Sequence, residues 1–316
     1  MVRNYKPHET ISLVGKVVLI TGGSAGIGKV NVRQFAELGA KVYVVARNKE
    51  KTLTVLKNVA ETTGNEQLFF LYGDLDSLNS IKQAATEFLK RENRLHILVC
   101  NAGAGTTGKP WTSDGFESKF GQNYLAHFLL TNLLLECLKK TAASLQNVSG
   151  SVRIINVSSD VSEVASSKFD FSSLQKPADT VTTTLSPRTL VEFTQYGRSK
   201  LCQVLATIKM AQILTGTGIS VYAVHPGAIA SDFYNPMLER GGIVGFATRI
   251  FKNIGTITEE EGSLTTLYCA VSDKVANESG LFYDDCERRK NKSKAVEDLD
   301  LIEELWEKSC EWTKGY

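Results

Sequence analysis

The feature that most constrains this chain is the regular alternation of short apolar runs with longer stretches of helical periodicity. Strands buried on both faces of a sheet read as continuous apolar runs rather than alternating ones. The apolar runs lie at residues 16–21, 41–46, 67–72, 96–100, 151–157 and 219–224, and the helical stretches include residues 27–38, 78–89, 116–138 and 199–214. This order predicts βαβ units around a parallel sheet, so the expected fold class is α/β.

The composition favours a globular protein that acts on a small molecule. Hydrophobic residues make up 42% and charged residues 22%, which excludes the disordered and fibrous classes. The 36 Lys and Arg residues against 34 Asp and Glu give a net charge of +2, too small to favour nucleic acid as a partner. Six cysteines without C-x-x-C spacing and only four histidines predict no metal site.

The chain has no recognisable segment for export or membrane insertion. Residues 1–15 lack the apolar core of a signal peptide, and the run FLLTNLLL is too short to span a bilayer. Cysteines inside apolar runs such as HILVC are typical of reduced, buried thiols. We therefore expect a cytoplasmic protein without a transmembrane segment.

Residues 1–316 are expected to form a single domain in which four segments depart from the alternating pattern. Residues 162–195 are rich in Ser, Thr and Pro and are typical of an inserted surface loop. Residues 236–257 suit either a mobile flap beside a site or an ordinary pair of connecting helices. The basic run at 287–294 is either a solvated face or a contact for an anionic membrane or phosphate, and residues 295–312 predict a docking helix.

A glycine-rich turn, TGGSAGIG, directly follows the first apolar run and opens a helix. Gly22 allows the tight turn, Gly26 lets a pyrophosphate approach the backbone, and Gly28 lets the helix pack against the strand. The N-terminus of the helix supplies N–H donors and the positive end of its dipole. This context predicts a dinucleotide-binding site.

The residues after the next two strands bear on the choice of dinucleotide. Ala46 is followed by Arg47 rather than by an acidic residue, which favours the 2′-phosphate of NADP(H) over the free ribose of NAD(H), although use of both cofactors stays open. Asp74 follows the third strand and could accept a hydrogen bond from the adenine amino group. It could equally cap the next helix, a position for which Asp76 and Ser77 compete.

The candidate catalytic residues lie after the fifth strand and on the following helix. Tyr196 and Lys200 are four residues apart, which places them on one helix face, and a nearby ammonium favours the phenolate form of a tyrosine. Ser158 and Ser159 end the fifth strand, where one hydroxyl can orient a substrate oxygen and the other can cap the strand end. The Pro226-Gly227 pair after the sixth strand forces a turn that can face a nicotinamide.

The motifs TGGSAGIG, NAG, NVSS, YGRSK and HPG occur in the order found in the short-chain dehydrogenase/reductase superfamily, and the sequence resembles its TGxxxGxG subgroup. The phrases QNYLAHFLLTNLLL, SKFDFSSLQ, SGLFYDDC and LIEELWEKS are similar to the retinol dehydrogenase-like branch. The resemblance implies a Rossmann-like, doubly wound parallel sheet of about seven strands. Their implied order is 3-2-1-4-5-6-7, with helices on both faces and the seventh strand near residues 280–282.

The resemblance also implies a role for individual residues. Tyr196 would be the catalytic acid/base, Lys200 would assist it and hold the nicotinamide ribose, and Ser159 would orient the substrate oxygen. Asn123 would hold a water that links Lys200 to solvent. The implied cofactor contacts are Gly22, Ser24, Gly26, Ile27, Gly28, Arg47, Asp74, Asn101, Ala102, Gly103, Tyr196, Lys200, Pro226, Gly227, Ile229 and Ser231.

The expected activity is hydride transfer between NADP(H) and the carbonyl or alcohol carbon of an apolar aldehyde, ketone or alcohol. Loops at residues 103–111, 162–195 and 236–257 are expected to line the substrate pocket. An apolar molecule is favoured by aromatic residues in or beside these loops, which include Trp111, Phe233, Tyr234 and Phe246. A nucleotide-sugar epimerase or dehydratase is disfavoured by the glycine spacing. Two alternatives stay open, namely a non-catalytic NADP(H)-binding regulator and a lipid-surface-associated dehydrogenase or adaptor.

Assembly and membrane contact are less constrained by the sequence. Many relatives form dimers through helices equivalent to residues 116–138 and 199–214, so a homodimer is one expectation. The N-terminal membrane helix of many retinol dehydrogenases has no counterpart in residues 1–15. Peripheral contact with a membrane or a lipid droplet is left open. The 37 residues from Ser159 to Tyr196 exceed the gap in many members of the superfamily.

Overall fold

The computed structural model describes residues 5–6, 11–105, 109–165, 170–175, 188–227 and 257–316. Among the sequence predictions, the flap at 236–257 lies outside the described residues except for Ile257. The cofactor-contact positions Ile229 and Ser231 also lie outside them, as do the three aromatic residues Phe233, Tyr234 and Phe246.

The described residues form a central sheet surrounded by helices. The strands are β1 Val17–Thr21, β2 Lys41–Ala46, β3 Leu68–Tyr72, β4 Ile97–Cys100, β5 Val152–Val157, β6 Ile219–His225, β7 Leu281–Asp284 and β8 Glu287–Arg289. The α-helices are α1 Gly26–Glu37, α2 Lys49–Thr63, α3 Leu78–Arg91, α4 Ala126–Ser144, α5 Arg188–Ile213, α6 Glu259–Val271 and α7 Leu299–Thr313.

Within the described chain, the eight strands are arranged in the order 3-2-1-4-5-6-7-8. The first seven pair in parallel, which confirms the predicted α/β class and strand order. The eighth strand was not predicted and pairs antiparallel with β7. It forms because Asp285 and Cys286, with φ of 53° and 61°, make a two-residue turn in which both residues are left-handed.

The sheet separates two apolar layers, as expected of a doubly wound fold. Along β1, Leu19 packs into the layer that includes α3, α4, α5 and α7, while Val18 and Ile20 pack into the layer that includes α1, α2 and α6. All five residues of β1 are buried. The continuous apolar runs of the sequence follow from this, because side chains on both faces of the central strands are covered.

Part of the predicted surface loop at 162–195 is folded against the protein body. Phe171–Leu174 forms a 3₁₀ turn with Phe171 and Leu174 buried, and Glu117 N donates to Leu174 O at 2.8 Å. Helix α5 begins at Arg188, so it extends well before the predicted start at residue 199. The Ser- and Thr-rich composition concealed the 3₁₀ turn, because this turn depends on two apolar side chains, Phe171 and Leu174, that become buried only in the folded protein.

The C-terminal helix α7 packs against α4 and α5. The Trp306 and Phe128 rings lie 4.9 Å apart between centroids, and the hydroxyls of Tyr124 and Ser309 are 2.8 Å apart. Residues 116–138 and 199–214, which the resemblance favours for a dimer interface, therefore contact the protein's own C-terminal helix. Among the described helices, none has the length and apolar character needed to cross a bilayer.

Candidate active site

The β1–α1 turn has the geometry that a phosphate group requires. Gly22 and Gly26 have φ of 73° and 56°, in the region that glycine adopts without strain. A Cβ on Gly28 would lie 2.4 Å from Gly22 O, so the turn closes tightly on glycine, whereas a Cβ on Gly26 would meet nothing within 4 Å. Ser24 and Ile27 are half-buried on the same turn.

Helix α1 begins without a capping side chain. Its N-cap residue, Ala25, offers no side-chain hydrogen bond, and its first turn has no acidic residue. By contrast, α2 is capped by Asn48 and α3 by Ser77. The first N–H groups of α1 and the positive end of its dipole are therefore available to an anion.

The NAG segment after β4 is held directly beside this turn. The Thr21 hydroxyl accepts hydrogen bonds from the backbone N–H groups of Asn101 and Ala102, both at 3.0 Å, and Asn101 Nδ2 donates to Thr21 O at 2.9 Å. Asn101 Oδ1 is buried without a hydrogen-bond partner among the described residues. An orphaned acceptor beside an uncapped helix N-terminus fits a bound dinucleotide.

Buried His127 extends this network toward the catalytic residues. Its Nδ1 lies 2.9 Å from Asn123 O, which can only accept, so Nδ1 carries the hydrogen. Nε2 therefore accepts the Thr21 hydroxyl hydrogen at 2.9 Å. Burial lowers the pKa of His127 to about 4, which keeps the ring neutral near pH 7.

The ends of β2 and β3 present the residues predicted to select the cofactor. Arg47 is exposed immediately after β2. Ser77 is the residue that caps α3, accepting from Ser80 N at 3.3 Å, which decides between the candidate caps. Asp74 instead accepts from Asp76 N through Oδ1 at 3.0 Å.

The two serines at the end of β5 have different partners. The Ser158 hydroxyl donates to Lys200 O at 2.7 Å and so joins β5 to α5. The Ser159 hydroxyl donates to Asp160 Oδ1 at 3.1 Å and accepts from Val161 N at 3.3 Å, at the start of the 3₁₀ turn Asp160–Val164. A Cβ on Gly197 would lie 3.1 Å from Val161 O, so glycine lets α5 approach this turn closely.

Lys200 is buried next to Tyr196 on α5. Its side chain, within a residue only 3% exposed, donates from Nζ to Val157 O at 2.8 Å and to Gln203 Oε1 at 3.2 Å. Nζ lies 5.6 Å from the centroid of the half-buried Tyr196 ring. Burial lowers the pKa of Lys200 to about 7, so its proton can be exchanged near neutral pH.

Asn123 lies in a π-helical turn, Phe120–Leu125, at the start of α4. Such turns are frequent at functional sites. Its Oδ1 accepts from Ala104 N at 2.7 Å, and its Nδ2 donates to Ala104 O at 3.1 Å and to Ser199 Oγ at 3.0 Å. A Cβ on Gly103 would lie 3.4 Å from Lys200 Nζ and 3.5 Å from Asn123 Oδ1, so this loop borders both residues.

The HPG segment and the basic run both contact the turn after Ser159. His225 Nδ1 accepts from Asp160 N at 3.2 Å, and burial lowers the pKa of His225 while Asp160 raises it. Glu163, with a side chain only 8% exposed, lies 3.1 Å from Arg289 and 3.9 Å from Lys292. Two residues of the basic run, Arg289 and Lys292, therefore form ion pairs within the protein.

Comparisons with known proteins agree with this geometry. A family model described as short chain dehydrogenase matches residues 16–171. Human retinol dehydrogenase 12 is 36% identical over 304 residues, covering 96% of this chain and 88% of that protein. The chain belongs to the short-chain dehydrogenase family. It is therefore a nicotinamide-dependent oxidoreductase that acts on CH–OH groups.

A further relative and a solved structure are similar to the chain over most of its length. Human polyprenol dehydrogenase is 34% identical to the short-chain dehydrogenase described here, covering 94% of this chain and 85% of that protein. The structure of the Pseudomonas aeruginosa RhlG/NADP active-site complex has a TM-score of 0.65 and 23% identity, covering 88% of this chain and 97% of that one. The structural likeness supports the same fold.

The structure adds residues to the site that the sequence did not single out. Gln203 contacts Lys200, His127 contacts Asn123, and Glu163 anchors the turn after Ser159. The helical spacing carried a signal for two of them, because Gln203 follows Lys200 by three residues and His127 follows Asn123 by four. No local pattern marked Glu163, whose partners Arg289 and Lys292 come from the basic run at 287–294.

Proposed function

We propose that the protein is an NADP(H)-dependent oxidoreductase that interconverts an apolar aldehyde or ketone with its alcohol, with Tyr196 as acid/base. The observation that carries the proposal is the buried Lys200 ammonium 5.6 Å from the Tyr196 ring, at the sheet edge that also holds the glycine-rich turn. Ligands bind in doubly wound folds at the carboxyl ends of the strands, where these groups lie.

The residues that would hold the cofactor fit its chemistry. The uncapped N-terminus of α1 would take the pyrophosphate, the NAG segment would line the bound dinucleotide, and Lys200 and Tyr196 would face the nicotinamide ribose. Asp74 would accept from the adenine amino group. When bound, the nicotinamide supplies or accepts the hydride.

The chain's own residues would orient the substrate and manage its proton. Ser159 would donate its hydroxyl hydrogen to the substrate oxygen, replacing its bond to Asp160. Tyr196 would then give its phenolic proton to that oxygen in reduction and recover it in oxidation. The Lys200 cation would stabilise the phenolate that remains. Asn123 donates to the hydroxyl of Ser199, and Ser158 donates to the carbonyl of Lys200, so both bonds hold this part of α5 in place.

Arg47 is the basis for proposing NADP(H) rather than NAD(H). It is exposed at the end of β2, where the adenosine ribose binds in this fold, and its guanidinium can pair with a 2′-phosphate. No acidic residue occupies that position to accept from a free 2′-hydroxyl. This arrangement supports NADP(H) as the preferred cofactor.

The names of the relatives suggest a substrate class. Retinol and polyprenol are both isoprenoid alcohols, and human proteins named for them match nearly the whole chain. Trp111 is half-buried and, if its loop lines the pocket as the sequence predicts, would add apolar surface. We therefore propose an isoprenoid-like or similarly apolar alcohol or aldehyde as substrate.

The test is NADPH and NADH oxidation with a panel of apolar aldehydes, ketones and quinones that includes retinal, using the wild type and Tyr196→Phe. We expect turnover with NADPH preferred and a loss of about 10²- to 10⁴-fold in kcat for Tyr196→Phe. Tyr72→Phe, at an exposed tyrosine of β3, is the matched control and should retain activity. NADPH binding without any Tyr196-dependent turnover would instead support a binding regulator.

A further inference from the structure

Gln203 occupies a buried position between two residues of the candidate active site. It is 2% exposed, its Oε1 accepts from Lys200 Nζ at 3.2 Å, and its Nε2 donates to Asn123 O at 2.9 Å. Asn123 O also accepts from His127 Nδ1 at 2.9 Å, so both lone pairs of this carbonyl have protein donors. The link between Lys200 and the Asn123 carbonyl is therefore a side-chain amide.

The orientation of this amide is fixed by its partners. An ammonium can only donate, so it must face the amide oxygen, and a carbonyl can only accept, so it must face the amide nitrogen. A reversed amide would place like polarity at both ends of a buried side chain. Gln203 therefore presents its oxygen dipole to Lys200 as a permanent part of the fold.

We propose that Gln203 is a positioning residue for the Tyr196–Lys200 pair, holding the Lys200 ammonium by a fixed amide dipole and tying it to the Asn123 turn. This inference rests on the function proposed above. Two of the three ammonium hydrogens are directed to Val157 O and Gln203 Oε1, which leaves the third for the open side of the site. The charge that stabilises a Tyr196 phenolate is thereby kept in one place.

Burial is what lowers the pKa of Lys200, and Gln203 Oε1 is the side-chain acceptor that faces its ammonium. On α4, His127 is neutral near pH 7 because burial lowers its pKa to about 4. Asp160 on the 3₁₀ turn and His225 on β6 pair with each other on the Ser159 side. The thiols of Cys100 on β4 and Cys202 on α5 are uncharged near pH 7, because burial raises the pKa of both.

Two substitutions at this position should move the titration of the pair in opposite directions. Gln203→Glu places a carboxylate beside the Lys200 ammonium, which favours the protonated form of the Tyr196–Lys200 pair. In carbonyl reduction, kcat/KM falls at alkaline pH as this pair loses its proton, and this fall should move to a pH about one to two units higher. Gln203→Met removes the acceptor with little change in size. The protonated pair loses a hydrogen bond to a charged group, so the limb should move down by about one unit.

The experiment measures this pH profile with NADPH and the best aldehyde for the wild type, both Gln203 variants and Gln212→Glu. Gln212 is exposed further along α5, so Gln212→Glu makes the same charge change away from the site and should leave the limb unchanged. Thermal unfolding and NADPH fluorescence titration establish that each variant folds and binds. If the wild type shows no turnover, or turns over no faster than Tyr196→Phe, the proposed function itself is refuted.

Opposite shifts in the two Gln203 variants would establish the positioning role. Unchanged limbs, with wild-type turnover still dependent on Tyr196, would overturn it and leave Gln203 as a packing residue, whatever the change in kcat. If Gln203→Glu does not fold, Gln203→Met decides alone: a downward shift supports the proposal and an unchanged limb refutes it.

Discussion

Buried His127 should make the stability of the protein fall steeply in mild acid. In the folded protein its pKa is lowered to about 4 by burial, whereas a histidine in the unfolded chain titrates near 6.5. Between these pH values the unfolded chain binds a proton that the folded protein does not. The contribution of His127 to the free energy of unfolding is therefore fully present above about pH 7 and is lost as the pH falls from about 6.5 to 4.

The size of the effect follows from the same two values. A difference of about 2.5 pKa units at about 1.4 kcal/mol per unit gives a loss of about 3.5 kcal/mol in the free energy of unfolding. That is a large share of the stability of an ordinary domain. His96, whose pKa is also lowered to about 4, chiefly by burial, adds a loss of the same sign.

The measurement is urea unfolding by circular dichroism at about pH 7.5, 6 and 5, comparing the wild type with His127→Asn. The variant keeps a donor for Asn123 O but has no titrating ring, so its free energy of unfolding should depend less on pH. Leu134→Ala, a buried change on the same helix, should lower stability at every pH without changing the slope. Equal slopes for His127→Asn and the wild type would refute the reasoning.

Two further predictions concern arginines. Arg289→Ala should destabilise the protein by about 1–3 kcal/mol and lower kcat, because it leaves the largely buried Glu163 carboxylate without its closest cation. Thermal unfolding and steady-state kinetics would measure the two effects. The exposed neighbour Arg288→Ala is its control, and equal effects of the two would contradict the role of the ion pair. Arg47→Ala should raise the KM for NADPH about 10- to 100-fold without altering the KM for NADH. Lys57→Ala, further along α2, is the control and should alter neither KM. An equal rise of the KM for both cofactors would exclude recognition of the 2′-phosphate by Arg47.

The sheet was predictable because its information is local. A continuous apolar run such as residues 41–46 becomes β2 with the same bounds, since burial on both faces leaves no polar alternation to confuse the assignment. Strand β8 carries the letters ERR and was interpreted only as a basic run. Its place in the sheet depends on the left-handed turn at Asp285 and Cys286. This pair of residues does not predict a hairpin in the way that Asn-Gly does.

The site was predictable where a residue belongs to a contiguous motif and not where it depends on distant partners. Tyr196 and Lys200 are assigned from the motif YGRSK together with the glycine-rich turn, and the structure places them next to each other on α5. The role proposed for Gln203 depends on its hydrogen bond to the carbonyl of Asn123, which lies 80 residues earlier in the sequence. Glu163 likewise depends on Arg289, 126 residues away, and such pairings are a property of the folded topology.

Because no side chain caps α1, its first N–H groups are open to the phosphate groups of a cofactor, and bound cofactor would stabilise the folded protein. A ligand that binds only the folded state stabilises it by about 2.7 kcal/mol at one hundred times its Kd. Since the fraction of unfolded chains sets exposure to proteases, a fall in the dinucleotide pool would shorten the half-life of the protein as well as slow its reaction. Its abundance would then follow the supply of its own cofactor.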